Sequence, residues 1–353
     1  MFLIRMKKIY ILIALGMLMI APWGMAQTIY DGAKLTGKDL NGTARFVGMG
    51  GAMGALGGDI STMGTNPAGI GLYRSNDVMT SFGLSLYGSE SKYSGKKFNS
   101  DLTKGDFNNI GVVFSSKIGN ATSLRFVNFG FNYHKAKSFN NNMNMEGYLG
   151  NYSQTFLMAS QANGITSWGY SPYTDNNIGW LSILGADGGL IRDITINDET
   201  GGVKNKPYTY KDAQGNEIQY KDVNGDPLYI SPGHFEGMLD NGYANFHSEE
   251  RGGIDQYDFN VSFNFNDRVY LGLTLGAYSV DYNKYTFYGE DYGNDEKYNL
   301  QSWNRIKGSG FDVKFGAIIR PFEYSPFRVG LAIHTPIFYS LDYKTSAQVI
   351  SDV

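Results

Sequence analysis

The stretch from Gly48 to Gly71, GMGGAMGALGGDISTMGTNPAGIG, is crowded with glycine, the residue that lets backbone amides cradle a phosphate. A dinucleotide-binding loop needs G-x-G-x-x-G between a buried strand and a helix. Gly48 and Gly50 meet the first two positions, but Met53 holds the third and Gly54 comes one residue late. The lead-in LTGKDLNGTARFV is too polar for a central parallel strand, and no G-K-[ST] follows to supply a phosphate-loop lysine. Asp222, Asn224 and Asp226 match the opening of a calcium loop. Pro227 stands where that loop needs glycine, and Gly233 where it needs glutamate, so the segment reads as a turn. His134 and His334 are isolated and the chain has no cysteine, so neither a metal site nor thiol chemistry is expected. No Ser/His/Asp set assembles on neighbouring strand ends. The residues predict a non-enzyme without cofactor or metal.

The elements that carry these residues read as strands. Tyr257, Phe259, Val261, Phe263 and Phe265 alternate with Asp258, Asn260, Ser262, Asn264 and Asn266. After the turn NDR, Val269, Leu271, Leu273, Leu275 and Ala277 alternate with Tyr270, Gly272, Thr274, Gly276 and Tyr278. The same period runs through Val78–Leu86, Val127–His134, Phe311–Arg320 and Val329–His334, and more weakly through Ile110–Ser116. Strict alternation gives each strand one apolar and one polar face, and these runs predict seven antiparallel strands of an all-β protein.

A β-sandwich alternates too, but two features favour a transmembrane antiparallel β-barrel. Asp258, Asp312 and Lys314 fall mid-strand on the polar face, which suits a wet lumen. The connections SKIGNATS, NDR and PFEYSPF are short, whereas 88–107, 135–253 and 287–302 are long and polar, as with periplasmic turns and external loops. Within the insert 135–253, GYLGNYSQTFLMASQANG predicts a short helix, and YTYKDAQGNEIQYKDVNGDPLYI a small hairpin. Glycine (46), tyrosine (26) and phenylalanine (22) are abundant while charged residues make up 18%, below the usual quarter. A net charge of −3 offers no basic surface to nucleic acid. At the N-terminus, Arg5, Lys7 and Lys8 precede an apolar run from Ile9 to Ile20, with Gly24 and Ala26 flanking Met25. That pattern predicts a signal peptide over 1–26, with a run too short to span a bilayer as a helix.

The glycine-rich segment, with Asn66-Pro67-Ala68 just ahead of the first strand, resembles the FadL/TodX family of outer-membrane transporters for hydrophobic compounds. The resemblance covers most of 40–135 and 254–345 and includes RVGLAIHTPI. It implies an N-terminal hatch over 27–76, and a barrel over 77–353 that is fourteen-stranded in the family. Seven strands are half that number, so the expectation is an N-terminal portion of a longer protein. The resemblance further implies passive uptake of hydrophobic molecules such as long-chain fatty acids across the outer membrane of a Gram-negative bacterium, with lateral release. Asn66, Pro67 and Ala68 would be gate residues, and Phe156, Leu157, Met158 and Trp168 candidates for ligand capture in the external insert. Expected partners are outer-membrane lipids and a hydrophobic substrate. The alternative implied by the family is a scaffold subunit that holds exported cargo for a protein-secretion machinery. Pro336, within an otherwise regular strand, predicts a bulge or break.

Overall fold

The structure, a computed structural model, describes residues 29–163, 179–193, 216–219, 235–293 and 295–353, with short strand segments between 196 and 230. The signal-peptide region, Trp168 and the DVNGDP turn lie outside the described residues. The chain divides into residues 1–39, of which the helix α1 (Ile29–Thr36) is described, and the β-rich unit 40–353.

That unit is built on one nine-stranded antiparallel sheet: β1 (Asp77–Tyr93), β2 (Lys96–Lys117), β3 (Leu124–Ser138), β4 (Asn141–Tyr148), β5 (Tyr243–Phe265), β6 (Val269–Gly293), β7 (Glu296–Ile319), β8 (Val329–His334) and β9 (Phe338–Asp352). The order is β1-β2-β3-β5-β6-β7-β8; β4 continues β3 along β5, and β9 continues β8 along β7. All seven predicted strands are present. Among the described residues no ladder joins β1 to β8 or β9, so the sheet is open.

The strands run far beyond the alternating cores. The stretches 88–107 and 287–302 are not loops: each continues its strand pair, the first to a tight turn at Ser94-Gly95 (φ 46° and 82°), the second as far as the pair Gly293 and Glu296. Alternation fades there, while the ladder hydrogen bonds keep the backbone extended regardless of side-chain type. At the other end, Asn266 and Asp267 adopt φ of 54° and 55° between β5 and β6, as a hairpin turn matched to strand twist requires. Asn264 fixes this turn by accepting from the Asp267 amide at 3.0 Å. Pro336 falls at a one-residue register change between β8 and β9, where Thr335 Oγ1 accepts from the Val313 amide at 3.0 Å.

The insert begins only after Tyr148 and ends before Tyr243. It carries the expected short helix, Gln154–Ala162, and a second one, Trp180–Asp187, that the sequence did not lead us to expect. The predicted hairpin pairs Thr209–Lys211 with Glu217–Gln219. Met158, Ala162, Leu181 and Leu190 bury themselves against Tyr298 and Leu300 of β7. The anchor of this packing is Glu290 of β6, 1% exposed. Its carboxylate accepts from Ser153 Oγ (2.7 Å), the Gln154 amide (2.8 Å), Tyr298 OH (2.8 Å), Tyr288 OH (2.5 Å) and Tyr292 OH. Five donors around one carboxylate leave no place for an amide nitrogen. Glu290→Gln is expected to weaken the docking by about 1–3 kcal/mol, seen as faster limited proteolysis of the insert with the sheet still intact by circular dichroism.

Candidate functional site

The sheet is polar where it is enclosed and apolar where it is open. Phe82, Leu86 and Leu331 are 75%, 76% and 65% exposed, whereas Asp258 and Lys314 are 0% exposed. On the enclosed face lie two adjoining features, a charged cluster and the seat of the glycine-rich segment.

Register builds the cluster. Asp258, Gly276 and Asp312 stand side by side on β5, β6 and β7. Gly276 offers no side chain, and a Cβ there would lie 2.6 Å from Lys314 Nζ. The ammonium occupies this gap, donating to Asp312 Oδ1 at 2.7 Å and Asp258 Oδ1 at 3.1 Å. Tyr278 OH donates to Asp312 Oδ2 at 2.8 Å, and Gln256 Nε2 to Asp258 at 2.8 Å. His134 Nδ1 stands 3.7 Å from Asp258 Oδ2. The mid-strand charges expected to line a wet lumen are thus fully enclosed and satisfy one another.

About four residues along the strands, some 13 Å at ~3.3 Å per residue, is the seat. The segment folds through a short helix (Ala44–Gly48) capped by Thr43, a 3-10 turn (Ile60–Gly64) capped by Asp59, and a second (Pro67–Leu72) capped by Asn66. Asn66 Oδ1 accepts from the Ala68 amide at 3.1 Å, while its Nδ2 donates to Gly54 O at 2.5 Å and to Ala317 O of β7 at 3.3 Å. Pro67 fixes φ at the first turn position. Its carbonyl accepts from Ser262 Oγ at 2.9 Å and Asn260 Nδ2 at 3.3 Å. The turn rests on Gly272 and Gly316, register partners on β6 and β7. A Cβ on Gly272 would meet the Pro67 carbonyl group, and one on Gly316 would meet Asn66 Oδ1 and stand 2.9 Å from the Ala68 amide nitrogen.

Other strands hold the segment by its backbone. Ser81 Oγ donates to Gly42 O (2.9 Å), Asn128 Nδ2 to Ile70 O (2.7 Å), and His334 Nε2 pairs with Thr65 O (2.7 Å). Met53, Ile60, Met63 and Ile70 are fully buried. Tyr73 brings a buried hydroxyl without a partner among the described residues, and burial, ahead of the nearby Asp77, pushes that hydroxyl far above its ordinary value.

The three gate candidates are therefore brought together. The capture candidates are not: Phe156 and Leu157 are 39% and 50% exposed on the first insert helix, Met158 is 0% exposed in its core, and Trp168 lies outside the described residues. Phe156 borders an open groove of about 450 Å³ with Asn163 and Phe235. A smaller groove of about 260 Å³ separates Trp180, Ile183 and Leu184 from Thr345 and Ala347 of β9. Sequence reasoning passed over Trp180 and its apolar run WLSILG, which was the available signal. It also passed over Tyr278, Gln256 and Glu290, whose roles depend on register. Among the described residues no group of His, Asp and Glu is arranged to hold a metal ion.

No protein-family model matches the chain, and no curated protein matches it in sequence.

Removing one partner from a buried charge set leaves the rest uncompensated, at about 3–5 kcal/mol. Lys314→Met is expected to lower stability by about that amount in urea unfolding. Adding Asp258→Asn and Asp312→Asn to the same chain should restore most of it.

Proposed function

We propose that this chain forms the wall and hatch of an outer-membrane transporter that takes up hydrophobic compounds such as long-chain fatty acids. The observation that carries the reading is the polarity of the sheet: phenylalanine, leucine and valine face outward while aspartate, asparagine and lysine are enclosed. Water favours the opposite arrangement, since exposed apolar area costs about 25 cal/mol per Å². A lipid surround favours this one. The apolar positions from Val269 to Ala277 span nine residues. That is ~30 Å along the strand at ~3.3 Å per residue, or a band ~23 Å tall at the ~40° tilt of barrel strands, against the ~25 Å expected. Tyr133, Tyr257, Phe311 and Phe338 stand on or beside its upper row, as aromatic girdles do at a membrane interface.

In this reading the segment seated on Gly272 and Gly316 is the hatch, with Asn66, Pro67 and Ala68 its closure. The seat is a shape fit of backbone on glycine, and the side-chain hydrogen bonds that hold the segment to the strands are what opening would have to break. The strand extensions and the insert stand outside the cell, with Phe156 and Leu157 presenting apolar surface for first capture.

The lipid-facing assignment is tested by Leu273→Arg, at the middle of the band and 38% exposed. In liposomes the substitution should cost about 2–4 kcal/mol. A change within about 0.5 kcal/mol, typical of a water-exposed surface, would remove the membrane reading. Transport is tested by uptake of labelled oleate into cells lacking their own lipid transporter. Uptake above the vector control, falling severalfold in Asn66→Ala, is expected. Gly316→Val should displace the hatch and sensitise the same cells to a bulky antibiotic. A correctly inserted protein with no uptake would shift the reading to the secretion scaffold.

A further inference from the structure

On the face opposite the buried cluster, beyond the apolar band, a cleft of about 400 Å³ opens between the β1–β2 hairpin and strands β4, β5 and β6. Phe98 forms its hairpin wall; Asn144, Glu146, Asn245, His247 and Phe287 form the sheet side, with Met145 and Phe246 between them. Register extends the surface beyond the cleft. Asn144, His247, Phe287 and Gln301 make one row across four strands, and Glu249, Tyr285 and Trp303 make the next. Tyr285 lies 5.6 Å from Trp303 and 6.4 Å from His247 between ring centroids, and Trp303 is 40% exposed. Gly289 sits between Asn245 and Asn299 in register. A Cβ there would stand 2.6 Å and 2.7 Å from their side-chain oxygens, so the two amides converge over the bare glycine.

Aromatic rings beside side-chain amides and a carboxylate match one kind of ligand closely. A sugar ring has an apolar C–H face, which packs on aromatic rings. Its rim of hydroxyls both donates and accepts, as do Asn and Gln side chains, while a carboxylate adds acceptors. The hydrogen bond from Lys96 Nζ at 2.9 Å holds the Glu146 carboxyl below its ordinary value, so it is an acceptor at neutral pH. A fatty ligand would leave the amides unpaired, which costs about 1–3 kcal/mol for each buried group. An anionic ligand would need cations, and Lys96 is already engaged by Glu146.

We propose that this cleft binds a free neutral oligosaccharide. The site goes beyond the transport reading, because the thickness of the sheet separates it from the hatch and the charged cluster.

The test is calorimetric titration of the full chain in detergent with maltohexaose, mannohexaose, xylohexaose and, separately, rough lipopolysaccharide. At least one hexasaccharide should bind. Phe287→Ala and Asn245→Ala should each weaken that binding about tenfold, the loss of one strong contact, with heat-modifiable mobility on gels and oleate uptake unchanged. Absence of hexasaccharide binding, binding of lipopolysaccharide alone, or affinity undiminished in both folded variants would overturn the proposal.

Discussion

Lys314 is fully buried on a sheet whose other face exposes phenylalanine and leucine, and a charge so placed has to be paired. The pairing is met by Asp258 and Asp312, on either side of Gly276 in the neighbouring row, with Tyr278 and Gln256 taking up the remaining carboxylate oxygens. Such a set contributes little net stability over an apolar core of equal volume. Its consequence is geometric. It fixes β5, β6 and β7 in one register, because a slip of one residue would turn every one of these groups to the apolar face. That same register brings Gly272 beside Gly316.

The seat follows from that placement. Two side-chain-free positions in line make a shallow floor, and the turn at Asn66-Pro67-Ala68 lies on it with its carbonyl reached by Asn260 and Ser262. Polar wall residues satisfy the backbone of an irregular segment that makes few ladder bonds of its own. The wall and the segment are therefore interdependent: without the segment, the asparagines and serines of the wall lose partners, and without the wall the segment has nothing to bond.

Beyond the apolar band the same strands continue with a different logic. There the insert packs a hydrophobic core on the face that carries Lys314 lower down, with Glu290 as its hydrogen-bonded anchor. The exposed face carries rings and amides in place of leucines. One continuous set of ladders thus supports two environments, and the side chains change at the row of Tyr257, Ala277 and Phe311.

The all-β class, the seven strands and the helix within the insert were legible in the sequence, because alternation at period two needs only the order of residues. The glycine-rich segment was legible as packing rather than as a phosphate loop, since Met53 and the polar lead-in break that pattern. The lengths of the strands were not legible. Beyond the apolar band period two leaves little trace in hydropathy, yet the backbone ladder persists through 88–107 and 287–302. Asp258, Asp312 and Lys314 could be assigned to the polar face, but pairing across strands is a property of register, which alternation does not specify. Local sequence determined which face each side chain takes. Tertiary structure decided what it meets there, because the partners come from residues more than fifty positions apart, as with Lys314 and Asp258, or two hundred and fifty-one, as with Asn66 and Ala317.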